Sequence, residues 1–347
     1  MEGIIMAVWT FWVTLLVGVL VTPYMLRYLQ KVRLYNRYQE DRKKTIYGTE
    51  AVEFNKIREQ EEKTVKQSPV VRSGGLLFLP TVVIVGLSLA HYLTSPVILI
   101  TILGIALVSL VALYDDFIDM GIIRRRRVTI AKRLLLLGVA ALVVGVALCT
   151  VVPNSITFLP FWIFAQVQLG ILFPVLFAGW FLFWQLSSVI DGIDGLSGSV
   201  FLVLFIGTAF VSVMQQQMDA LVLSALAVGV VVSWLFVNHA PARAYLTEVG
   251  MTIFIMLFSV ITFLLGVGGS PKGGLWIGVV FGFILIVTWV SNILQLLYRR
   301  QTGRRLFRIA PIHHHFEAIG VPGPAVVSWY MLVTMLCVAI GLSLLVV

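Results

Sequence analysis

The chain has 347 residues, 59% of them apolar and only 12% charged, with a formal net charge of +9 and a mean hydropathy of +0.99. Soluble globular domains run about 45–50% apolar and about 25% charged, so a water-soluble fold is excluded, and a disordered chain would need the opposite composition. Cys149 and Cys337, the two cysteines, both lie in apolar runs, which excludes a disulfide framework and a cysteine-rich metal site.

A spanning helix needs about 20 mostly apolar residues to cross a bilayer core of about 30 Å. That ruler predicts ten spans, at 4–24, 75–94, 96–114, 132–152, 167–189, 198–214, 219–237, 250–269, 274–297 and 324–347. The first opens Met-Glu-Gly without a basic n-region or a clear cleavage site, and reads as a retained helix. Thr94-Ser95-Pro96 predicts a tight turn between the second and third spans, Pro153-Asn154 closes the fourth, and a Gly-rich stretch at 268–274 closes the eighth. The reading is an all-α polytopic membrane protein whose residues 1–347 form one integral-membrane domain. A basic loop occupies 26–73, with room for a short interfacial helix, and a His-rich loop occupies 298–323.

Lys and Arg predict the orientation. With alternating spans, 24 of the 25 basic residues fall on one side and only Lys272 on the other. That side is predicted to be cytoplasmic, with both termini outside. The positive charge is then a signal for anionic lipids and substrates at a membrane surface, with no nucleic acid implied. Seven of the sixteen acids, Asp115, Asp116, Asp119, Asp191, Asp194, Glu248 and Glu317, lie at the same ends of the spans. Carboxylates at membrane depth cost several kcal/mol (~3) unless paired, wet or metal-bound, so their gathering from four loops predicts a common polar site.

Each segment carries a functional and a plainer reading. Asp115 and Asp116 in YDDF suit a general base or Mg2+ ligation, or else a helix end neutralised by Arg124–Arg127. At a solvent-facing helix end, loss of one of these repelling charges should leave the fold intact. SSVIDGIDGLSG, at 187–198, pairs two carboxylates with glycines that allow close approach to a ligand; the alternative is an Asp-Gly turn. In NHAPARAYLTEVGM, at 238–251, Glu248 is the lone acid beside Tyr245 and His239, and a helix-dipole role is the alternative. In RRLFRIAPIHHHFEAIG, at 304–320, adjacent histidines on a helix point about 100° apart, which favours phosphate contact over ligation of one ion, or else a surface cluster. Lys66, Arg72 and Gly74-Gly75 suit a phosphate at the interface, or a membrane-edge anchor.

Together these segments resemble the polyprenyl-phosphate N-acetylhexosamine-1-phosphate transferases, and within them the phospho-N-acetylmuramoyl-pentapeptide transferase branch. PIHHHFE at 311–317 carries the resemblance furthest, followed by YDDF and DGIDGL. The resemblance implies transfer of a phospho-sugar-pentapeptide from UDP-MurNAc-pentapeptide to undecaprenyl phosphate in a bacterial cytoplasmic membrane, with Mg2+ as cofactor and Mn2+ as substitute. It implies catalytic roles for Asp115, Asp116 and Glu248, the lipid phosphate being positioned or deprotonated by Asp115. It implies metal ligation by Glu248 and Ser188, uridine binding by Asp191, Gly192, Asp194 and Tyr245, and phosphate or sugar-peptide contacts from Lys66, His313, His314 and His315. Membrane lipids are the surroundings, and a homodimer is left open. The chain departs from the family at three places. Ser188 stands for Asn, Thr247-Glu248-Val249-Gly250-Met251 for GDxGS, and VVRSGG for TPTMGG, nearer the N-acetylglucosamine branch. A longer Glu248 and a shorter Ser188 predict a displaced ion, weak Mg2+ dependence partly rescued by Mn2+, and a gain from restoring Asn and Asp together. The alternatives are an N-acetylglucosamine-1-phosphate transferase, a silent relative, or a transporter or lipid-binding protein. Against a transporter, no acid or base lies near the middle of a span, Gln185 being the main polar exception.

Overall fold

The computed structural model describes residues 2–31, 70–71, 73–119, 123, 128–157, 166–267 and 274–346. The helices are α1 (Glu2–Lys31), α2 (Gly75–Tyr92), α3 (Pro96–Asp119), α4 (Ile130–Cys149), α5 (Phe173–Gln185), α6 (Leu196–Met214), α7 (Met218–Asn238), α8 (Thr247–Leu264), α9 (Leu275–Phe281), α10 (Phe283–Thr302), α11 (Ile312–Ala318) and α12 (Gly323–Val346). One-turn 3-10 segments, Gly170–Leu172 and Leu186–Ile190, flank α5.

α8 is the axis of the bundle. Its residues from Val249 to Leu264 are all buried, and it packs against α2, α3, α5, α6, α7 and α9. A helix apolar on every side has no face to offer water, so only a central position suits it. Phe254 and Phe258 on α8 meet Phe78, Phe201, Phe205 and Trp184 at ring-centroid distances of 5.0–6.5 Å. Trp180 Nε1 donates to Thr262 Oγ1 at 3.0 Å, which ties α5 to the same axis. The outside is as apolar as the inside: Trp9, Trp12, Leu16 and Leu20 on α1 and Leu332, Leu336 and Ile340 on α12 are exposed. Water would not tolerate such continuous apolar faces, whereas hydrocarbon does. The molecule is a polytopic membrane protein, with nine helices among the described residues long and apolar enough to span and a bent pair that makes a tenth.

The α2–α3 turn is as the sequence predicts. Thr94 takes φ +49, and Ser95 Oγ accepts from Ile98 N at 3.2 Å and donates to Asp219 Oδ1 at 2.7 Å, joining this corner to α7. Three expectations need correction. The predicted span 274–297 is two helices, α9 and α10, bent by 70° at Gly282. A Cβ at Gly282 would lie 2.4 Å from the Trp184 ring, so the break sits where only glycine lets the indole close in. The loop boundaries at 26 and 298 fall inside helices, since α1 runs to Lys31 and α10 to Thr302. Between α4 and α5 lies a small antiparallel pair, β1 (Ser155–Thr157) with β2 (Gln166–Gln168), which the hydropathy pattern did not reveal. Residues 32–69 and 72 of the expected loop, where an interfacial helix would lie, fall outside the described residues.

Candidate active site

The start of α8 is where the separated segments meet. The first backbone N–H groups of a helix lack intrahelical acceptors, and anions are favoured there by the helix dipole. Here two aspartates from other loops supply the acceptors. Thr247 N donates to Asp191 Oδ2 at 3.1 Å, Glu248 N to Asp116 Oδ1 at 3.3 Å and Val249 N to Asp116 Oδ2 at 3.4 Å. Asp116 also accepts from Thr247 Oγ1 at 2.7 Å and Ser73 Oγ at 3.1 Å. It is only 5% exposed, so the expectation of a solvent-facing helix end is corrected: Asp116 is a buried cap that joins α3 to α8.

Chain segments before α2 and α8 run side by side. Val71 N donates to Arg243 O at 3.0 Å, Tyr245 N to Val71 O at 2.9 Å and Gly74 N to Tyr245 O at 2.8 Å. A Cβ at Gly75 would lie 2.3 Å from Gly250 N, so the glycine pair is needed for this close approach. Tyr245 is thereby held half-buried beside the start of α8. Lys66 and Arg72 lie outside the described residues, as do Arg124–Arg127.

The DGIDG loop packs against the same helix start through Asp191. Asp191 Oδ1 accepts from Ser197 Oγ at 2.8 Å, and Asp194 Oδ2 from Ala242 N at 2.8 Å. Gly195 takes φ +81 and donates its N–H to Asn238 Oδ1 at 3.1 Å, while Asn238 Nδ2 donates to Ala244 O at 3.0 Å. Burial pushes the Asp191 carboxyl up to about 6, assisted by the charges of Glu248 and Asp194 and opposed by the hydrogen bonds from Ser197 and Thr247. Ser188, on the 3-10 turn ahead of the loop, is half-buried.

The His string meets this loop from α11. Ser291 and Gln295, one turn apart on α10, hold its approach: Ser291 Oγ accepts from Ile312 N at 3.0 Å, and Gln295 Oε1 from Phe307 N at 2.9 Å. The expectation of three diverging rings is corrected: the His313 and His314 rings lie together, with centroids 4.3 Å apart, while His315 is engaged elsewhere. His313 is fully buried near Tyr330, with ring centroids 6.1 Å apart. The His314 Nδ1 lies 2.7 Å from Glu317 Oε2, and His315 Nδ1 accepts from Arg308 N at 3.2 Å. At Gly192 a Cβ would lie 2.5 Å from His314 Nε2 and 2.6 Å from His313 Nε2. DGIDGL and PIHHHFE, over a hundred residues apart in the chain, are thus in contact.

Asp115 and Glu248 are joined by a residue that sequence reading did not single out. Arg133, in the first turn of α4, reaches Asp115 Oδ2 with Nη1 at 3.2 Å and uses the same nitrogen to donate to Glu248 Oε1. Asp115 is 3% exposed and the Arg133 side chain 16%. From sequence Arg133 was one more membrane-edge cation. Ser73, Thr247, Ser197 and Asn238 were also missed, small polar residues whose only signal was proximity to a motif.

This arrangement decides how a divalent ion fits. Asp116 is consumed by the cap, Asp115 and Glu248 share one guanidinium, and among the described residues no three His, Cys, Asp or Glu side chains form a metal-holding group. An ion ligated by Asp115 Oδ2 and Glu248 Oε1 at about 2.0–2.1 Å would need the space that Nη1 fills. The donor set as it stands does not fit the Mg2+ site expected at Glu248 and Ser188.

Residues 98–266, from α3 to the end of α8, match the glycosyl transferase family 4 profile. The proteins named phospho-N-acetylmuramoyl-pentapeptide-transferase are similar to the chain. That of Lactococcus lactis subsp. cremoris is 31% identical over 46% of this chain and 47% of its own length. That of Enterococcus faecalis is 28% identical over 71% of this chain and 75% of its own, and that of Clostridium acetobutylicum 25% identical over 83% and 89%. The match thus spans about half of the Lactococcus protein and most of the other two. With its aspartate, glycine and histidine motifs gathered at one end of a helical membrane bundle, the chain is similar to glycosyl transferase family 4 over residues 98–266.

Proposed function

We propose that this chain transfers phospho-N-acetylmuramoyl-pentapeptide from its UDP carrier to undecaprenyl phosphate, at the inner face of a bacterial cytoplasmic membrane. One observation carries the reading: the start of α8, the Asp115–Asp116 end of α3, the DGIDG loop and the His string of α11 converge on one polar site. The names of the relatives supply the transferred group, and the resemblance supplies the UDP carrier and the lipid acceptor.

In the proposed reaction an oxygen of the lipid phosphate attacks the phosphorus that bears the sugar. A new P–O–P bond forms, the P–O bond to UMP breaks, and UMP leaves with the electron pair. A phosphate monoester with a second pKa of about 6 is already largely ionised at neutral pH, so Asp115 has more to contribute as a positioning group than as a base. Tyr245 would stack on the uracil, Asp191, Gly192 and Asp194 would hold the uridine, and Lys66 with His313, His314 and His315 would meet phosphates and the sugar-peptide. Gly192 and the His string being in contact supports assigning them to one substrate. Mg2+, or Mn2+ in its place, enters only as the ion that the resemblance implies, since Asp115 and Glu248 are committed to Arg133.

A catalytically silent relative is the second reading, favoured by the positive φ of Thr247 where the family has glycine. The test is UMP release from UDP-MurNAc-pentapeptide by the purified chain in lipid nanodiscs. Release that requires undecaprenyl phosphate supports the transferase. Release only from UDP-N-acetylglucosamine moves the reading to the other branch, and none from either substrate supports the silent one.

A further inference from the structure

We propose that Arg133 is the resident cation of this site, filling with its guanidinium the position between Asp115 and Glu248, the latter a carboxylate to which the family resemblance assigns a divalent metal ion. The inference rests on the transferase reading for its catalytic meaning, but its geometry is independent of it.

Three observations carry it. A cation in the first turn of a helix faces the positive end of the dipole, so the place of Arg133 on α4 is unfavourable in itself and needs compensation. Compensation comes from both carboxylates at once: Nη1 lies 3.2 Å from Asp115 Oδ2 and also donates to Glu248 Oε1. Finally, Arg133 uses only part of its donor set there. Its Nε is buried and has no hydrogen-bond partner, and neither has Asp115 Oδ1. Guanidinium is planar, always charged, and matched to phosphate oxygens, so a carboxylate-anchored Arg whose side chain is still 16% exposed suits a pyrophosphate. Such a group neutralises developing negative charge on the phosphates and needs no ion to arrive with the substrate. The longer Glu248, where the family has Asp, extends the carboxylate toward α4 and lets one nitrogen serve both acids.

The proposal makes the carboxylate pair metal-free because Nη1 already fills the space between the two acids and offsets one of their two charges. Mn2+ uptake by the full-length chain in nanodiscs, read from loss of the free-ion electron paramagnetic resonance signal, tests this without any turnover. Parent and Glu248→Gln should take up the same Mn2+, because Glu248 holds no ion in either. Arg133→Gln should gain a site at least about tenfold tighter than any in the parent, and Arg133→Gln with Glu248→Gln should lose it. Parent uptake that Glu248→Gln abolishes would overturn the proposal, and so would an Arg133→Gln protein that folds and gains no site. Should Arg133→Gln fail to fold, the comparison of parent with Glu248→Gln still decides. Where UMP release is measurable, the parent should keep it in EDTA. Its loss in EDTA overturns the proposal, whereas absence of release from every protein removes the transferase reading and leaves the Mn2+ result standing.

Discussion

Thr247 holds φ +59 at the first position of α8, and its Oγ1 donates to Asp116 Oδ2 at 2.7 Å, across 131 residues of chain. A β-branched residue is strained in the left-handed region, at a cost on the order of 1–2 kcal/mol. The hydrogen bond to a buried carboxylate offsets that strain, at about 1.5–3 kcal/mol. Thr247→Ser should therefore match or exceed the parent in thermal stability, and Thr247→Gly should lose about 1 kcal/mol, relief of strain not quite replacing the bond. Thr247→Val keeps the strain without the bond and should be the least stable. Thermal midpoints in nanodiscs would check the order, and a Val variant as stable as the parent would refute it.

Asp116 accepts from four donors, two of them backbone N–H groups. Asp116→Ala should lower stability by about 3 kcal/mol or more, through orphaned donors at the end of the central helix. Asp116→Asn retains one acceptor oxygen and should cost about half of that, while still abolishing UMP release. Loss of activity with an unchanged midpoint would mean that the carboxylate is catalytic and not a cap.

The contact between the DGIDG loop and α11 leaves no room for a methyl group. Gly192→Ala should destabilise by about 1–3 kcal/mol and lower UMP release, as the two imidazoles shift. At Gly179 nothing lies within 4 Å of an added Cβ, so Gly179→Ala is the control and should leave both unchanged. Equal behaviour of the two variants would show that the loop and the His string are not packed in solution as they are here.

Asp191 gives a signed pH dependence. Its carboxyl is held up to about 6 in the folded protein against an ordinary 3.8. Between these values the folded state binds a proton that the unfolded state has released, so stability is highest below about 4 and falls as pH rises toward 6. Above that range both states are ionised and the slope ends. The difference between the midpoint curves of the parent and Asp191→Asn should show this fall. A difference that is flat from pH 4 to 7 would rule it out.

Orientation is open to a labelling test. With Cys149 and Cys337 replaced by Ala, a cysteine at the exposed Gln168 should react with an impermeant thiol reagent on intact cells, and one at the exposed Gln301 should not. Thr157, on the same side as Gln168, is unsuitable because it is fully buried. The opposite pattern would put the proposed site on the outer face, away from any nucleotide substrate.

Much of this protein is legible in one dimension because a bilayer asks for something one-dimensional. A span must be about 20 apolar residues long and satisfy its own backbone, so the lengths of apolar runs locate most helices within a few residues. Cationic loops give an expectation of sidedness through a charge count, which the labelling test addresses, and the strings around Asp115, Asp191 and His313 are local in sequence. Tertiary structure alone decided what those strings do to one another. The break at Gly282 depends on where the Trp184 ring lies, 98 positions away in the chain, and hydropathy cannot see it. Asp115 and Asp116 are neighbours in one helix turn, yet one is held by Arg133 of α4 and the other caps α8. Their side chains leave a helix about 100° apart, so the partner of each is set by which helix packs on that side. That choice comes from burial around α8, a property of the whole bundle and of no single segment.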